Sequence, residues 1–457
     1  MRNLSQFVIA APTSGSGKTT ICRGLMALLT RKGLRVQPFK CGPDYIDTKF
    51  HEQVCGRPSY NLDTFMASES HVRELYVQYS QDADVCIVEG MMGMYDGYDK
   101  DKGSCAEIAR ALDLPVVLVV NSQSAAYSMA PLLSGFMHFH EGVKVVGVVF
   151  NMVASVRHFE MLKQVCEDLQ LPCFGYLSKQ ASLEQSSRYL GLDFSEMDAG
   201  DSLVDEMERH VDWEALLRAT KSDVRCKEED RYYSTLCFAS FLSRFGIAQA
   251  KLALSSQLQI VNSQSLSFNI LVARNNDSFS FIYAEHLDIL NRLGKVTFFN
   301  PEENQNIPDD TDLLYLPGGY PEKHAKALMK AKQTLHAVRD YIERGGSALA
   351  ECGGMIYLSQ GIVSEDQVYE MAGVLPFKIS MRKEDRKLSL GYRQFIYNGQ
   401  SFRGHEFHYT QFAPEGDIPA SVSQVYDAKG KPVSTPVFRY KNLIASYTHL
   451  YWGEVNS

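Results

Sequence analysis

Residues 7–24, FVIAAPTSGSGKTTICRG, run from an apolar, β-branched stretch through a glycine-rich turn into a string of helix formers. Strand, glycine loop and helix in that order make an anion cradle, because N–H groups of the loop and of the first helical turn converge on one point. Pro12 holds the first glycine position of the G-x-x-x-x-G-K-[ST] pattern, so the match is a variant. Thr13, Ser14, Gly15, Ser16, Gly17, Lys18, Thr19 and Thr20 still supply the loop and the helix start. In such a loop Lys18 reaches the β- and γ-phosphates and the Thr19 hydroxyl ligates Mg²⁺, so the segment predicts an ATP site.

Outward from the loop, FVIAA, RVQPF, DVCIVEG, PVVLVVN, VKVVGVVFN and CFGYL read as strands, with helices near 17–32, 104–113, 124–139 and 156–169. Apolar runs without alternation are strands covered on both faces, which predicts a doubly wound parallel sheet. Ligands of such sheets bind at the carboxyl ends of the strands. Glu89 ends DVCIVEG, Asp96 lies in the next loop, and Asp44 and Asp47 follow the second strand in FKCGPDYIDTKF. Alone, each carboxylate reads as a solvated loop residue. Four of them after strands expected to be neighbours point to the Mg²⁺ nucleotide site, with Asp47 and Glu89 joining Thr19 at the metal.

The strand–helix rhythm breaks over residues 195–265 and resumes with FNILVAR, a helix near 279–293, KVTFF, DLLYLPGG, a helix near 322–343 and SALAEC. Beyond 385 the apolar runs shorten, as in antiparallel strands. GGSALAECGGMIYL (345–358) puts Cys352 between a strand and a helix, with Ala350 and Gly354 two residues away on either side. Such a turn exposes a nucleophile on a strained backbone, and a helix starting there lowers a thiol pKa. Gly318 and Gly319 of LPGGY offer N–H groups to an oxyanion, and His449, at the end of LIASYTHLYW, is the base such a cysteine needs. RGHEFHYT holds His405, Glu406 and His408. These histidines are three apart in a β-like run, which excludes the H-E-x-x-H zinc helix.

At 457 residues the chain is long enough for two domains, and 45% hydrophobic with 22% charged residues is a globular composition. A net charge of −8 without a basic block argues against nucleic acid or an anionic membrane as partner. No apolar run approaches the roughly 18 residues of a bilayer span. The ten cysteines include no C-x-x-C pair. Nine read as buried thiols of a reduced, cytoplasmic protein, and Cys352 is the exception.

APTSGSGKTT, PFKCGPDYIDTKFH, NLDTFM and VEGMMGMYDG together resemble the cobyrinic acid a,c-diamide synthase family, whose N-terminal domain is similar to dethiobiotin synthetase. Partition-type ATPases carry a lysine where this loop has Thr13, so the loop departs from them. LPGGYPE, AECGG and a distant histidine resemble the class I glutamine amidotransferase domain of the same family. The resemblance implies a P-loop doubly wound parallel sheet domain followed by an amidotransferase-like α/β domain. It further implies ATP- and glutamine-dependent amidation of a tetrapyrrole carboxylic acid through an acyl phosphate, with Asp44, Tyr45 and Asp96 in the substrate or acyl-phosphate region. Cys352 then takes the glutamine amide as a thioester, with His449 as base. Many class I domains carry a glutamate where this chain has Tyr451, so no third triad member is assigned. The expected boundaries are 1–193 for the ligase domain, 194–266 for a linker and an unclassified segment, and 267–457 for the amidotransferase domain. Ser278 and Tyr189 depart from the family pattern. Cobyrinic acid is the leading substrate. Nickel-sirohydrochlorin, hydrogenobyrinic acid or a non-enzymatic P-loop switch stay open, as does homo-oligomerisation.

Overall fold

Strands that are apolar along their whole length need cover on both faces, and the sheet built around β1 has it. The computed structural model describes residues 3–179, 200–223, 268–365, 367–414 and 417–454. The chain divides into two units, residues 1–64 with 68–231 and residues 65–67 with 232–457. Tyr189 and segment 224–265 lie outside the described residues.

In the first unit β1 (Asn3–Ala10), β2 (Val36–Cys41), β3 (Tyr60–Leu62), β4 (Val85–Glu89), β5 (Val116–Asn121), β6 (Val145–Val153) and β7 (Cys173–Ser178) form a parallel sheet in the order β3-β2-β4-β1-β5-β6-β7. The helices between them are α1 (Lys18–Arg31), α2 (Ile46–Cys55), α3 (Glu69–Ser80), α4 (Cys105–Ala111), α5 (Met129–His138) and α6 (Val156–Asp168). Ser68, Ser104 and Ser155 start α3, α4 and α6 by accepting a backbone N–H of the first turn. Helix α5 begins five residues later than its apolar pattern predicts, because residues 124–128 form a turn in which Ser124 is left-handed, with φ 61°. Helix α2 was not legible as a helix; Asp44 starts it, its Oδ1 accepting the N–H groups of Ile46 and Asp47 at 2.8 and 3.0 Å.

Beyond the sheet, α7 (Gly200–His210), α8 (Trp213–Ala219) and β8 (Lys221–Asp223) belong to this same unit. Strand β8 pairs antiparallel with the start of β1. Leu203, Val204, Met207, Val211 and Leu216 join Ile21, Leu25 and Leu28 of α1 in one core. Helix α7 approaches α1 at Gly24, where a Cβ would lie 2.8 Å from Met207 Cγ.

The second unit holds a six-stranded sheet of β9 (Phe268–Ala273), β10 (Gly294–Phe299), β11 (Leu313–Leu316), β12 (Ala348–Glu351), β21 (Val437–Tyr440) and β22 (Leu443–Ser446), ordered β10-β9-β11-β12-β22-β21. All pairings are parallel except that of the edge strand β21. Helix α9 (Ala284–Leu293) precedes β10 and starts later than expected, since Ser280 N and Phe281 N bond Gly318 O at 2.9 and 3.0 Å. Helices α10 (Ala325–Lys330) and α11 (Lys332–Glu343) stand where one helix is expected, and α12 (Gly353–Leu358) follows β12.

A small sheet holds β13 (Gly361–Val363), β14 (Val368–Glu370), β15 (Lys378–Ser380) and β18 (Gln411–Phe412). The antiparallel sheet expected beyond 385 consists of β16 (Ser389–Tyr397), β17 (Gln400–His408), β19 (Val425–Asp427), β20 (Pro432–Val433) and β23 (His449–Tyr451), ordered β20-β19-β16-β17-β23. Asn398 and Gly399 turn β16 into β17 at φ 49° and 76°, the two-residue turn whose twist matches a hairpin. No helix among the described residues is long and apolar enough to cross a membrane.

Met207 is fully buried against α1. Met207→Ala is expected to destabilise the first unit by about 2–5 kcal/mol, read as a lowered urea midpoint of Trp213 fluorescence. An unchanged midpoint would mean that α7 is not part of this core.

Candidate functional site

At the carboxyl edge of the first sheet, β1 runs into the loop at 12–17. Gly15 and Gly17 are left-handed at φ 77° and 93°, which glycine adopts without steric cost. Ser16 Oγ donates to Thr13 O at 2.8 Å and lies 3.3 Å from Thr13 Oγ1. Asn151, near the end of β6, donates to Ser16 O at 3.0 Å, and a Cβ on Gly17 would fall 2.0 Å from that amide nitrogen. Ser14 is exposed and Thr20 half-buried. Lys18 is buried and donates to Met92 O, and burial pulls its ammonium below the usual lysine range.

At the second residue of α1, Thr19 Oγ1 donates to Glu89 Oε1 at 2.8 Å. Glu89 is fully buried at the end of β4, and His51 Nε2 lies 2.6 Å from its other oxygen. Lys40, at 1% exposure near the end of β2, sets its Nζ 3.1 Å from Glu89, 2.5 Å from Asp47 and 3.9 Å from Asp44. Burial alone would push the Glu89 carboxyl up. The Lys40 ammonium and the bonds from His51 and Thr19 outweigh it and hold Glu89 well below the carboxylate range. The same balance works in reverse on Lys40, which burial would discharge and Asp47, Glu89 and Asp44 keep charged.

Asp47, Glu89 and Asp44 thus meet around one ammonium that the sequence does not announce as a site residue, and Thr19 joins them through Glu89. The signal was a lysine inside the buried strand VQPFKC, where a charge needs a partner. Tyr45 is buried at the start of α2. Asp96 stands apart from the ammonium: its Oδ2 accepts Gly93 N at 3.0 Å, closing a loop that lies against Pro12 O. A hydroxyl and a carboxylate 2.8 Å apart are hard oxygen donors, so Thr19 and Glu89 fit Mg²⁺ bound together with phosphate oxygens. On the same edge of the sheet, where β5 and β6 end, a pocket of about 430 Å³ is lined by Gln123, Ser124, Met152, His158 and Lys179.

In the second unit three parallel strands end side by side. Glu351 of β12 is opposite Ser446 of β22, and Leu316 of β11 is opposite Ala350. Cys352 leaves β12 at φ 46°, ψ −103°, a strained elbow for a side chain with a Cβ. Its N–H bonds Ser446 O at 2.7 Å. Close approach requires the two glycines after it: a Cβ on Gly354 would lie 2.0 Å from Leu316 O, and one on Gly353 2.9 Å from Gly319 N. Cys352 Sγ is 3.9 Å from Phe407 O and the residue is 2% exposed. The expected lowering of its thiol pKa is not found. Burial pushes the thiol well up, Glu322 and Glu406 add to it, and the six-residue helix α12 does not compensate.

His449 starts β23 with its ring over Gly318, where a Cβ would fall 2.1 Å from His449 Cε1. Gly318, Gly319, Cys352 and His449 therefore share one sheet edge. Burial pulls the imidazole down to about 3, His405 and His408 act in the same direction, and Glu406 opposes them. RGHEFH (403–408) is strand, as expected, with His405 opposite His449. Glu406 is buried and accepts from Arg393 Nε at 2.7 Å and Thr435 Oγ1 at 2.5 Å, with His408 Nε2 at 2.8 Å. Tyr451, at the position of the absent glutamate, bonds Glu285.

A ring held neutral by the fold has a folded pKa below its unfolded value. Its contribution to stability is complete above the unfolded value and drains away as pH falls from about 6.5 towards 3. In a Trp213→Phe background, Trp452 fluorescence reports the second unit. His449→Gln is expected to flatten the loss of urea midpoint between pH 7 and pH 5, by up to about 1.4 kcal/mol per pH unit. An identical slope in both proteins would mean that the ring is not kept neutral by burial.

Residues 7–190 match the CobQ/CobB/MinD/ParA nucleotide binding domain and residues 269–457 the CobB/CobQ-like glutamine amidotransferase domain. The cobyrinate a,c-diamide synthases of Caldanaerobacter subterraneus subsp. tengcongensis and Priestia megaterium are each 35% identical to this chain; the alignments cover 97% and 98% of it and 94% of each relative. The hydrogenobyrinate a,c-diamide synthase of Brucella anthropi is 34% identical over 97% of this chain and 98% of its own length. With a nucleotide-binding domain, an amidotransferase domain and such identity along nearly all of its length, the chain belongs to the cobyrinate a,c-diamide synthase family of carbon–nitrogen ligases that take glutamine as amide donor.

Proposed function

We propose that the protein amidates the a and c acetate side chains of cobyrinic acid, drawing ammonia from glutamine and activating each carboxylate as an acyl phosphate. The observation that carries the glutamine half is the strained Cys352 elbow ending on the same edge as His449 and Gly318. The Cys352 sulfur attacks the glutamine carboxamide while the neutral His449 ring takes the thiol proton, and N–H groups of the Gly318–Gly319 turn receive the oxyanion. Ammonia leaves with a proton returned by the imidazolium, and water hydrolyses the thioester to glutamate. A resting pair of neutral thiol and neutral imidazole fits this order, because the thiolate is needed only when the carboxamide is in place.

In the ligase half, the loop at 12–17 and Lys18 hold the triphosphate, and the pocket past β5 and β6 takes the nucleoside. Thr19 and Glu89, with Asp47 behind Lys40, would hold Mg²⁺, which when bound neutralises phosphate charge. A substrate carboxylate oxygen attacks the γ-phosphorus and ADP leaves. Ammonia then attacks the acyl carbon and expels phosphate, giving the amide. Asp44, Tyr45 and Asp96 lie around this edge and are assigned to the substrate side. Cobyrinate is favoured because relatives of that name match the chain at up to 35% identity. Hydrogenobyrinate is the second reading, on the strength of the 34% match. The eight described cysteines are free thiols, with Cys55 and Cys173 half-buried rather than buried as expected; free thiols fit a reducing compartment, the cytoplasm.

Cys352→Ala is expected to lose glutamine-dependent amidation by at least about a thousandfold and to keep it with ammonium salt at raised pH. The check is product mass, one dalton lighter per amidation, with each nitrogen donor. Glutamine-dependent turnover at the wild-type rate would remove the nucleophile assignment, and loss with both donors would tie Cys352 to the ligation chemistry instead.

Lys18→Ala is expected to abolish amidation with either donor and to leave glutamate release measurable. Several kcal/mol of transition-state stabilisation are at stake there. Wild-type amidation at saturating ATP would remove Lys18 from the nucleotide site.

A further inference from the structure

The glutamine half lacks an acidic partner two residues past its base, yet a buried carboxyl sits on the other side of the pair. Leu450, directly after His449, lies opposite Gly404 of β17. Its N–H is turned away from that strand and donates to Glu351 Oε1 at 3.1 Å. Glu351 is the last residue of β12, directly before Cys352. Its second oxygen accepts the Tyr315 hydroxyl at 2.8 Å from β11, the next strand of the sheet. Glu351 and Tyr315 are at most 2% exposed. Trp452 stands edge-on to Tyr315 and stacks on His286 with ring centroids 3.7 Å apart, closing the far side.

We propose that Glu351 is a positioning residue for glutamine hydrolysis: its carboxyl stands in for a missing strand between β12 and β23 and fixes the height of His449 beside Cys352. The inference rests on the glutaminase reading of Cys352 and His449. A side chain is needed there because β22 leads into β23 through only Tyr447 and Thr448, where the chain passes from the parallel to the antiparallel sheet. No backbone ladder joins β12 to β23, so the N–H after the base would otherwise be a buried donor without an acceptor. Burial pushes the Glu351 carboxyl up to about 8, against the pull of Tyr315, Leu450 and Trp452. Glu351 also raises the Cys352 thiol, though less than Glu322 and Glu406 do, so a carboxyl kept mostly uncharged at neutral pH limits the repulsion of the thiolate it adjoins.

The test measures glutamate release in Glu351→Leu, Glu351→Gln and Tyr315→Phe, with Cys352→Ala as control. Glu351→Leu is expected to lower kcat at least about tenfold with KM for glutamine changed by less than about threefold, because the binding surface is untouched while the base is displaced. Glu351→Gln keeps an acceptor for Leu450 N and should recover part of that loss. Tyr315→Phe alters neither Cys352 nor His449 nor their direct neighbours, and should lower kcat a few-fold. It should have no further effect on top of Glu351→Leu. A purely structural Glu351 predicts a lower melting temperature with kcat unchanged per folded molecule, and that result overturns the proposal. Should Glu351→Leu not fold, wild-type kcat in both Glu351→Gln and Tyr315→Phe overturns it. Glutamine turnover retained in Cys352→Ala would instead sink the glutaminase reading beneath it.

Discussion

An ammonium cannot be taken out of water without opposite charge around it, and Lys40 has three carboxylates within 4 Å. That one constraint organises the edge of the first sheet. Glu89 ends β4, Asp44 and Asp47 lie at the start of α2, and Thr19 reaches Glu89 from α1. The strands that carry or lead into these groups are adjacent in the order β2-β4-β1. A phosphate loop gives a place for an anion; the Lys40 cluster next to it fixes which carboxylates keep their charge there. Removing one member leaves uncompensated charge in a dry site, commonly a matter of about 3–5 kcal/mol.

The second unit solves the opposite problem. Its edge brings a thiol and an imidazole together as neutral groups, and burial rather than pairing sets their state. Contact is therefore steric: the His449 ring occupies the space a side chain at Gly318 would need, and the Cys352 elbow fits only because Gly354 presses on Leu316 O. Glutamine hydrolysis needs the proton to move only after the carboxamide arrives, and a pair uncharged at rest suits that sequence.

How much of this could be read in advance follows from what each residue type announces. The central strands were legible because uninterrupted Val and Ile runs admit few alternatives, and the loop at 12–17 because glycine, lysine and threonine in that order have a narrow set of uses. The elbow at Cys352 was legible from the small residues around it. Lys40 and His51 were not: a lysine in VQPFKC needs a partner, but nothing there or in TKFH says that three carboxylates fold onto Lys40 and that one of them also takes His51. Glu351 escaped for the same reason: its partners are a tyrosine 36 residues upstream and a backbone N–H 99 residues downstream, and only strand order joins them. The thiol of Cys352 departs from expectation because a helix start is visible in sequence while burial beside Glu322 and Glu406 is not.

The burial of Cys352 bears on how the protein ages in air. Peroxide attacks thiolates, and a sulfur held protonated at 2% exposure offers little of that form. Cys173 is half-buried, and its contact with Cys166 draws its thiol down. Among the described cysteines, oxidative wear should accordingly begin at one without an assigned task on the first unit and spare the sulfur that the chemistry needs.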